Sequence, residues 1–237
     1  MVKKSRQPAK VEQSDPAMGE VIDLLSRQKS RQQGREKVNP QTQKRTSPNK
    51  GYAASGRTRE YLTEGEIDLL LAKTKSTGQK GRRHRNFCII LVMFRHGLRV
   101  GEAADLRWSD FDFSVGTLLV RRLKGSKSST HFLTGDETRA LRRLQRESIQ
   151  TPFVFVDSLG KPLDPTAIAG MIRRLGKGLF GFPIHSHMLR HSCGHALAMK
   201  GVDTRALQDY LGHIDIKHTT RYTELSPVRF RNIWDKK

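Results

Sequence analysis

The chain has 237 residues, and its 44 Lys and Arg against 23 Asp and Glu give it a formal charge of +21. A surface this basic attracts polyanions, so nucleic acid is the first candidate partner and an anionic membrane surface the second. The sequence holds no run of 18 apolar residues, which argues against a membrane span. No apolar core follows the basic residues 1–10, so we do not predict a secretory signal.

Residues 1–57 differ in composition from the rest of the chain. They are rich in Gln, Lys, Arg, Ser and Pro, and their 13 basic and 5 acidic side chains give a charge of +8. This composition predicts a largely disordered basic arm, which either holds DNA phosphates or only keeps the chain soluble. Residues 58–237 keep a charge of +13 and are predicted to form one folded domain.

From residue 58 onwards the apolar periodicity is mostly helical. Thr63 and Glu66 form a capping box that predicts a helix start, and the apolar run Phe87–Phe94 predicts a buried helix that ends at Gly97. Further helices are predicted at 101–106, 136–148, from 165 onwards, 187–200, 203–211 and 216–223, with a loop at 176–183. Strands are predicted at 117–123 and 129–133 around a turn at 124–127, and at 153–156, with another turn at 110–112.

The segment His187–His191 (HMLRH) can hold a phosphate. On a helix, His187 and Arg190 are three residues apart and therefore share one face. The fork of donors on Arg190 suits two phosphate oxygens, and His187 can donate a hydrogen bond or carry a proton. An ordinary basic surface is the alternative. A zinc site at His187, His191 and His195 is disfavoured because the Glu of an HExxH motif is missing.

Two further segments carry basic residues that suit phosphate chemistry. Arg99 follows the buried helix, and Glu102, three residues later, can hold its guanidinium group. Lys124 and Lys127 lie on the predicted hairpin turn, where a lysine can protonate a leaving oxygen. The alternatives are a surface ion pair and a solvated charge.

The last third of the chain contains a histidine and a tyrosine that are nine residues apart. Gly212 suits a helix C-terminus, which places His213 in the turn that follows. Tyr222 can attack phosphorus if another group takes its proton and the phosphate charge is neutralised. Taken singly, His213 also fits a capping role and Tyr222 also fits packing in a core.

Taken in chain order, these motifs resemble the tyrosine recombinase (phage integrase) family. The shared series is Gly-Leu-Arg-x-x-Glu, a lysine on a hairpin, His-x-x-Arg-His, Leu-Gly-His, and a tyrosine nine residues later. The stretch from His187 to Thr223 and the segment RLKGSKSSTH are most similar to the small recombinases that invert the fimbrial switch in enteric bacteria. The resemblance spans about residues 62–235. It implies that residues 58–237 form one tyrosine recombinase catalytic domain, with no separate folded core-binding domain before it.

This resemblance implies a fold and a reaction. The implied fold is α+β and mostly α, a helical bundle with a small antiparallel sheet on one edge. The implied reaction is DNA strand exchange through a 3′-phosphotyrosyl bond, which retains the reactivity of the phosphodiester and needs neither a metal nor another cofactor. The implied catalytic residues are Arg99, Lys124, His187, Arg190, His213 and Tyr222, with Glu102 and His191 as supports.

The resemblance also implies partners. They are double-stranded DNA with paired recombination sites, further copies of the chain in a tetramer, and DNA-bending accessory proteins, in a bacterial cytoplasm and away from membranes. Cys88 and Cys193, which we predict to be buried reduced thiols, fit that compartment. Phe230 and Trp234 either pack on their own chain or dock on a neighbouring protomer. Two alternatives remain, a type IB topoisomerase and a non-catalytic DNA-binding regulator.

Overall fold

A computed structural model of the protein describes residues 59–123 and 125–224, which all belong to one compact unit, residues 51–237. The basic arm, Lys124, and the C-terminal Phe230 and Trp234 lie outside the described residues, so what was predicted for them stays a prediction. Within the described ranges, no helix combines the length and the apolar character that crossing a bilayer requires.

The described part of the chain is mostly helical and carries one small sheet. Its helices are α1 Glu64–Ser76, α2 Lys80–Arg95, α3 Val100–Ala104, α4 Gly135–Glu147, α5 Pro165–Gly176, α6 Ser186–Met199, α7 Thr204–Leu211 and α8 Lys217–Thr223. Its strands are β1 Phe111–Asp112, β2 Thr117–Val120 and β3 Ser129–Phe132, which pair antiparallel in that order. The predicted α+β class, mostly α with a small antiparallel sheet, is therefore confirmed.

Helix α2 lies at the centre of the hydrophobic core. It packs against α1, α4 and α6, and its segment from Cys88 to Met93 is at most 3% exposed. A helix that is apolar all round has this position because every face must be covered by a neighbour. Cys88 and Cys193 are buried free thiols, as predicted.

Gly97 ends the turn after α2 and brings distant segments together. Its φ of 58° lies in the left-handed region, and a Cβ there would meet the Leu211 side chain at 2.5 Å and Cys193 Sγ at 3.3 Å. Glycine at this position therefore lets α6 and α7 approach the turn that leads into α3. Arg99 is the residue beyond that turn that caps α3.

Three local predictions were wrong. Residues 153–156 form no strand; they make only isolated bridges, because their apolar side chains enter the core from an irregular loop. The expected turn at 110–112 is instead the end of a 3-10 helix, Trp108–Asp110, followed by β1. Strand β2 ends at Val120 rather than Leu123, because the Arg122 N–H donates to Ser128 Oγ instead of to a strand carbonyl.

Candidate active site

Arg190 is a buried arginine of the site and lies on helix α6. The residue is 1% exposed, and its Nη1 and Nη2 donate to the carbonyl oxygens of Gly97 and Leu211, each at 2.6 Å. Burial, followed by the charges of Arg122 and Arg99, lowers the pKa of Arg190 to about 10, so the group is still charged at neutral pH. The two carbonyls fix its orientation without neutralising it, which leaves its charge available to an anion.

Arg99 and Glu102 form the predicted pair at the start of α3. The backbone N–H and Nη1 of Arg99 donate to the two carboxylate oxygens of Glu102, at 2.8 and 2.7 Å. Burial acts to raise the pKa of Glu102, but the Arg122 and Arg99 guanidinium groups outweigh it and lower that pKa. The Arg99 side chain stays 31% exposed, so it is held in place and still open to a ligand.

Arg122 belongs to the same cluster, and our sequence interpretation missed it. Its Nη1 lies 2.8 Å from Glu102 Oε2, and its side chain is 0% exposed. The signal was the alternation along β2: Leu118 and Val120 point inward, so Arg122 falls on the next inward position. The formal charge of this cluster is +2, because it contains one carboxylate, that of Glu102, and the three guanidinium groups of Arg99, Arg122 and Arg190.

Tyr222 on α8 is buried against His191, the residue that follows Arg190 on α6. Its hydroxyl lies 2.8 Å from Nδ1 of His191, and the Tyr222 side chain is 2% exposed. Burial raises the pKa of Tyr222 to about 12 and lowers the pKa of His191 to about 3. At neutral pH the phenol therefore keeps its proton and donates a hydrogen bond to a neutral imidazole.

The other two predicted histidines flank this pair. The exposed His187 ring meets the His191 ring edge-on at 4.6 Å, and partial burial and the Arg190 charge lower the pKa of His187. The His213 ring lies parallel to the Tyr222 ring at 6.3 Å, and its Nδ1 is 2.8 Å from Thr219 Oγ1. Burial and the nearby arginines lower the pKa of His213 to about 3. Both histidines can therefore donate to a phosphate as neutral rings.

The hairpin turn is described on both sides of Lys124, which itself lies outside the described residues. The Lys127 side chain is exposed, while its backbone oxygen faces Gly212. A Cβ on Gly212 would lie 2.6 Å from that oxygen, so the turn packs directly against the residue before His213. Of the residues the structure describes, no three His, Cys, Asp or Glu side chains converge in a way that could hold a metal ion.

The fold is helical with a small sheet at its edge, and it gathers two arginines, histidines and a buried tyrosine. These features are those of tyrosine recombinase catalytic domains. The model of the Phage integrase family matches residues 60–229, and the chain therefore belongs to this family. It is a site-specific tyrosine recombinase, as the sequence motifs predicted.

The chain is similar to known recombinases along most of its length. It is 40% identical to the type 1 fimbriae regulatory protein FimB of Escherichia coli K12 over 189 residues, 77% of this chain and 93% of FimB. It is 37% identical to FimE of the same strain over 185 residues, 75% of this chain and 92% of FimE. The XerH recombinase, solved as a post-cleavage complex with a palindromic difH substrate, matches with a TM-score of 0.63 and 25% identity over 74% of this chain and 53% of XerH. These matches confirm the predicted relation to fimbrial-switch recombinases.

Proposed function

We propose that this protein cuts one strand of double-stranded DNA with Tyr222 and rejoins it to a strand from a second site. The observation that carries this proposal lies on α6, where Arg190 joins the arginine cluster and the next residue, His191, holds the Tyr222 hydroxyl. One helix therefore links the group that can bind a phosphate to the group that can attack it. The result is inversion, integration or excision, according to how the sites lie in the DNA.

Arg99 and Arg190 are the proposed clamp for the scissile phosphate. Attack on a phosphodiester builds negative charge on the nonbridging oxygens, and fixed guanidinium groups stabilise it without reorganising. The cluster's formal charge of +2 suits this transition state, because the phosphoryl group gains charge as the phenolate oxygen approaches. His187 and His213 donate to the same oxygens, and His187 is also a candidate proton carrier.

The proposed step transfers the phosphate from the 5′ oxygen to Tyr222. The Tyr222 oxygen forms a bond to phosphorus, the bond from phosphorus to the 5′ oxygen breaks, and a 3′-phosphotyrosyl link and a free 5′ hydroxyl result. The phenol passes its proton to a neighbouring base, for which His187 is the candidate, and the leaving oxygen gains a proton from the general acid. We assign that general acid to Lys124, with Lys127 as the alternative on the same turn. A 5′ hydroxyl from the partner duplex reverses the step, so resealing needs no ATP.

The proposed partners follow from charge and from this exchange. The formal charge of +13 on residues 58–237 favours binding to the phosphate backbone of DNA. XerH, a similar recombinase, was solved with its DNA substrate. Because each exchange consumes two strands from two sites, several copies of the chain act together, and we propose a tetramer with DNA-bending accessory proteins. Glu102 and His191 support Arg99 and Tyr222 respectively.

The test is to trap the covalent intermediate. Duplex fragments from the region around the gene are incubated with the full chain and quenched in detergent, and an adduct marks the cleaved fragment. We expect adduct with the unaltered chain and none with Tyr222→Phe. Tyr210→Phe is the matched control, because Tyr210 is also partly buried and its hydroxyl donates to the Arg95 carbonyl at 2.8 Å.

Three results would contradict the proposal. An adduct with Tyr222→Phe would exclude this nucleophile. The absence of any adduct on any fragment would favour a non-catalytic regulator. Relaxation of every supercoiled plasmid, without exchange between two sites, would favour a topoisomerase.

A further inference from the structure

Arg122 has more described hydrogen bonds than either arginine of the proposed clamp. Its Nη2 donates to the carbonyl oxygens of His96 at 3.0 Å and Tyr210 at 2.7 Å. Its Nη1 donates to Gly97 O at 3.1 Å as well as to Glu102 at 2.8 Å. The Nε of Arg122 is buried without a described hydrogen-bond partner. A side chain buried this deeply, with its charge matched by a carboxylate and its terminal nitrogens by carbonyls, is fixed in one orientation.

Arg122 and Arg190 bridge the same two segments. Both donate to Gly97 O, and at the end of α7 they take adjacent carbonyls, Tyr210 O for Arg122 and Leu211 O for Arg190. The two guanidinium groups therefore form parallel connections between the turn before Arg99 and the turn before His213. Arg190 reaches these segments from α6, whereas Arg122 reaches them from the end of β2.

The end of β2 is also the base of the hairpin turn. The Arg122 N–H donates to Ser128 Oγ at 3.1 Å, which closes the turn across residues 123–127. Gly212 packs on the same base, since a Cβ there would lie 2.9 Å from Arg122 Cγ and 2.6 Å from Lys127 O. The turn that carries both candidate acid lysines is thus attached to the arginine cluster through Arg122.

We propose that Arg122 is a positioning residue that docks the base of the lysine turn onto the Gly97 and Tyr210 carbonyls, and so aims the general acid at the leaving oxygen. This inference rests on the proposed function. Arg122 itself is not part of the proposed phosphate clamp, because its charge is paired with the Glu102 carboxylate and its terminal nitrogens make four hydrogen bonds to protein oxygens. The described hydrogen bonds of Arg190 go to two carbonyls and to no carboxylate. The proposed effect of Arg122 is on protonation of the leaving group, through the position of the turn.

The substitution that tests this role is Arg122→Lys. Lysine keeps a positive charge beside Glu102, so the buried carboxylate is not left alone, but it lacks the planar fork that serves several carbonyls at once. Arg85→Lys is the matched control. Arg85 is partly buried, less deeply than Arg122, and its Nη1 likewise donates to a backbone carbonyl, Val156 O at 2.6 Å, but it has no described contact with the cluster.

The experiment compares two leaving groups. Both substrates are duplexes of the trapped site, nicked near the cleavage point, and one carries sulfur in place of the 5′ bridging oxygen. A thiolate leaves without being protonated, so cleavage of the sulfur substrate does not need the acid. We expect Arg122→Lys to form adduct about 100-fold more slowly on the oxygen substrate, as for a catalytic group displaced by about 1 Å, and within about threefold of normal on the sulfur substrate. Arg85→Lys should match the unaltered chain on both.

A second variant covers the case in which Arg122→Lys does not fold. Ser128→Ala keeps every charge and removes the hydrogen bond through which the Arg122 N–H closes the base of the turn, and it should give the same selective loss on the oxygen substrate. An equal loss on both substrates, or no loss on either, would overturn the role of Arg122 while the Tyr222 adduct still stands. If the unaltered chain forms no adduct, the proposed function fails and the role of Arg122 fails with it.

Discussion

The hydroxyl of Tyr222 lies 2.8 Å from Nδ1 of His191, and both side chains are buried. Because burial raises the pKa of Tyr222 to about 12 and lowers the pKa of His191 to about 3, the phenol is the donor and the neutral imidazole the acceptor. The proposed nucleophile is therefore held in one orientation with its proton in place. It must lose this proton at the moment of attack, when the arginine cluster can stabilise the charge.

This hydrogen bond predicts an energetic coupling between the two residues. His191→Leu should lower the free energy of unfolding by about 1–3 kcal/mol, because the buried phenol loses its acceptor. In a Tyr222→Phe background the same change should cost about 1 kcal/mol less. Urea denaturation of the four proteins measures the coupling. His84→Leu is the control: its Nε2 lies 2.9 Å from Ala140 O, away from Tyr222, so its effect should be the same in both backgrounds.

The raised pKa of Tyr222 predicts a loss of stability at alkaline pH. The unfolded chain gives up this proton near pH 10, whereas the folded chain keeps it until about pH 12. The protonated Tyr222 therefore makes its full contribution to the free energy of unfolding below pH 10. This contribution is lost as pH rises from 10 to 12, at about 1.4 kcal/mol per pH unit. Urea unfolding at pH 9 to 11 should show this slope for the unaltered chain and a shallower one for Tyr222→Phe. Equal slopes would contradict the assignment, since Tyr210 titrates in both proteins.

Motif spacing predicted the proximity of three of the proposed site residues, because they lie on one helix. His187, Arg190 and His191 share α6, and helical geometry alone places them near one another. The buried position of α2 was also predictable from the sequence, because an apolar run such as Phe87–Phe94 has to be covered on every side. The fold class, in contrast, was implied by the resemblance to the tyrosine recombinase family.

Contacts between distant segments could not be predicted from local patterns. Arg122 looked like part of a basic strand end, yet its side chain binds carbonyls that lie 25 and 88 residues away in sequence. The strand predicted at 153–156 failed for the related reason that burial of apolar residues does not require a ladder of strand hydrogen bonds. The Tyr222–His191 bond likewise joins α8 to α6 across 31 residues.

Arg190→Ala should abolish cleavage and leave much of the DNA binding. The proposed phosphate clamp loses a fixed donor, which costs about 100- to 1,000-fold in the rate of adduct formation. Binding is distributed over many phosphate contacts of a basic surface, so the dissociation constant changes far less. Adduct formation and gel-shift affinity are measured on the same nicked duplex, with Arg139→Ala, an exposed residue of α4, as the control. A parallel loss of both would indicate that Arg190 serves binding or folding instead.

Substitution of Gly194 on α6 tests where the Tyr222 ring lies. A Cβ at Gly194 would lie 2.8 Å from the Cε2 and Cζ atoms of the Tyr222 ring, closer than packed carbon atoms approach. The ring cannot back away freely, because the His195 ring meets it edge-on at 5.2 Å and His191 holds its hydroxyl. Gly194→Ala should therefore lower the free energy of unfolding by about 1–3 kcal/mol, as overpacking does in other cores.

The matched control for this substitution is Gly65→Ala. Gly65 lies in α1, and a Cβ at this position would have no neighbouring atom within 4 Å. Alanine there should raise the free energy of unfolding by about 0.4–1 kcal/mol, because it restricts the unfolded chain. Urea denaturation of both variants measures whether the free energy of unfolding falls or rises in each. Adduct formation shows whether the displaced phenol still reaches phosphorus. If Gly194→Ala is as stable and as active as Gly65→Ala, then Tyr222 does not occupy this position against α6.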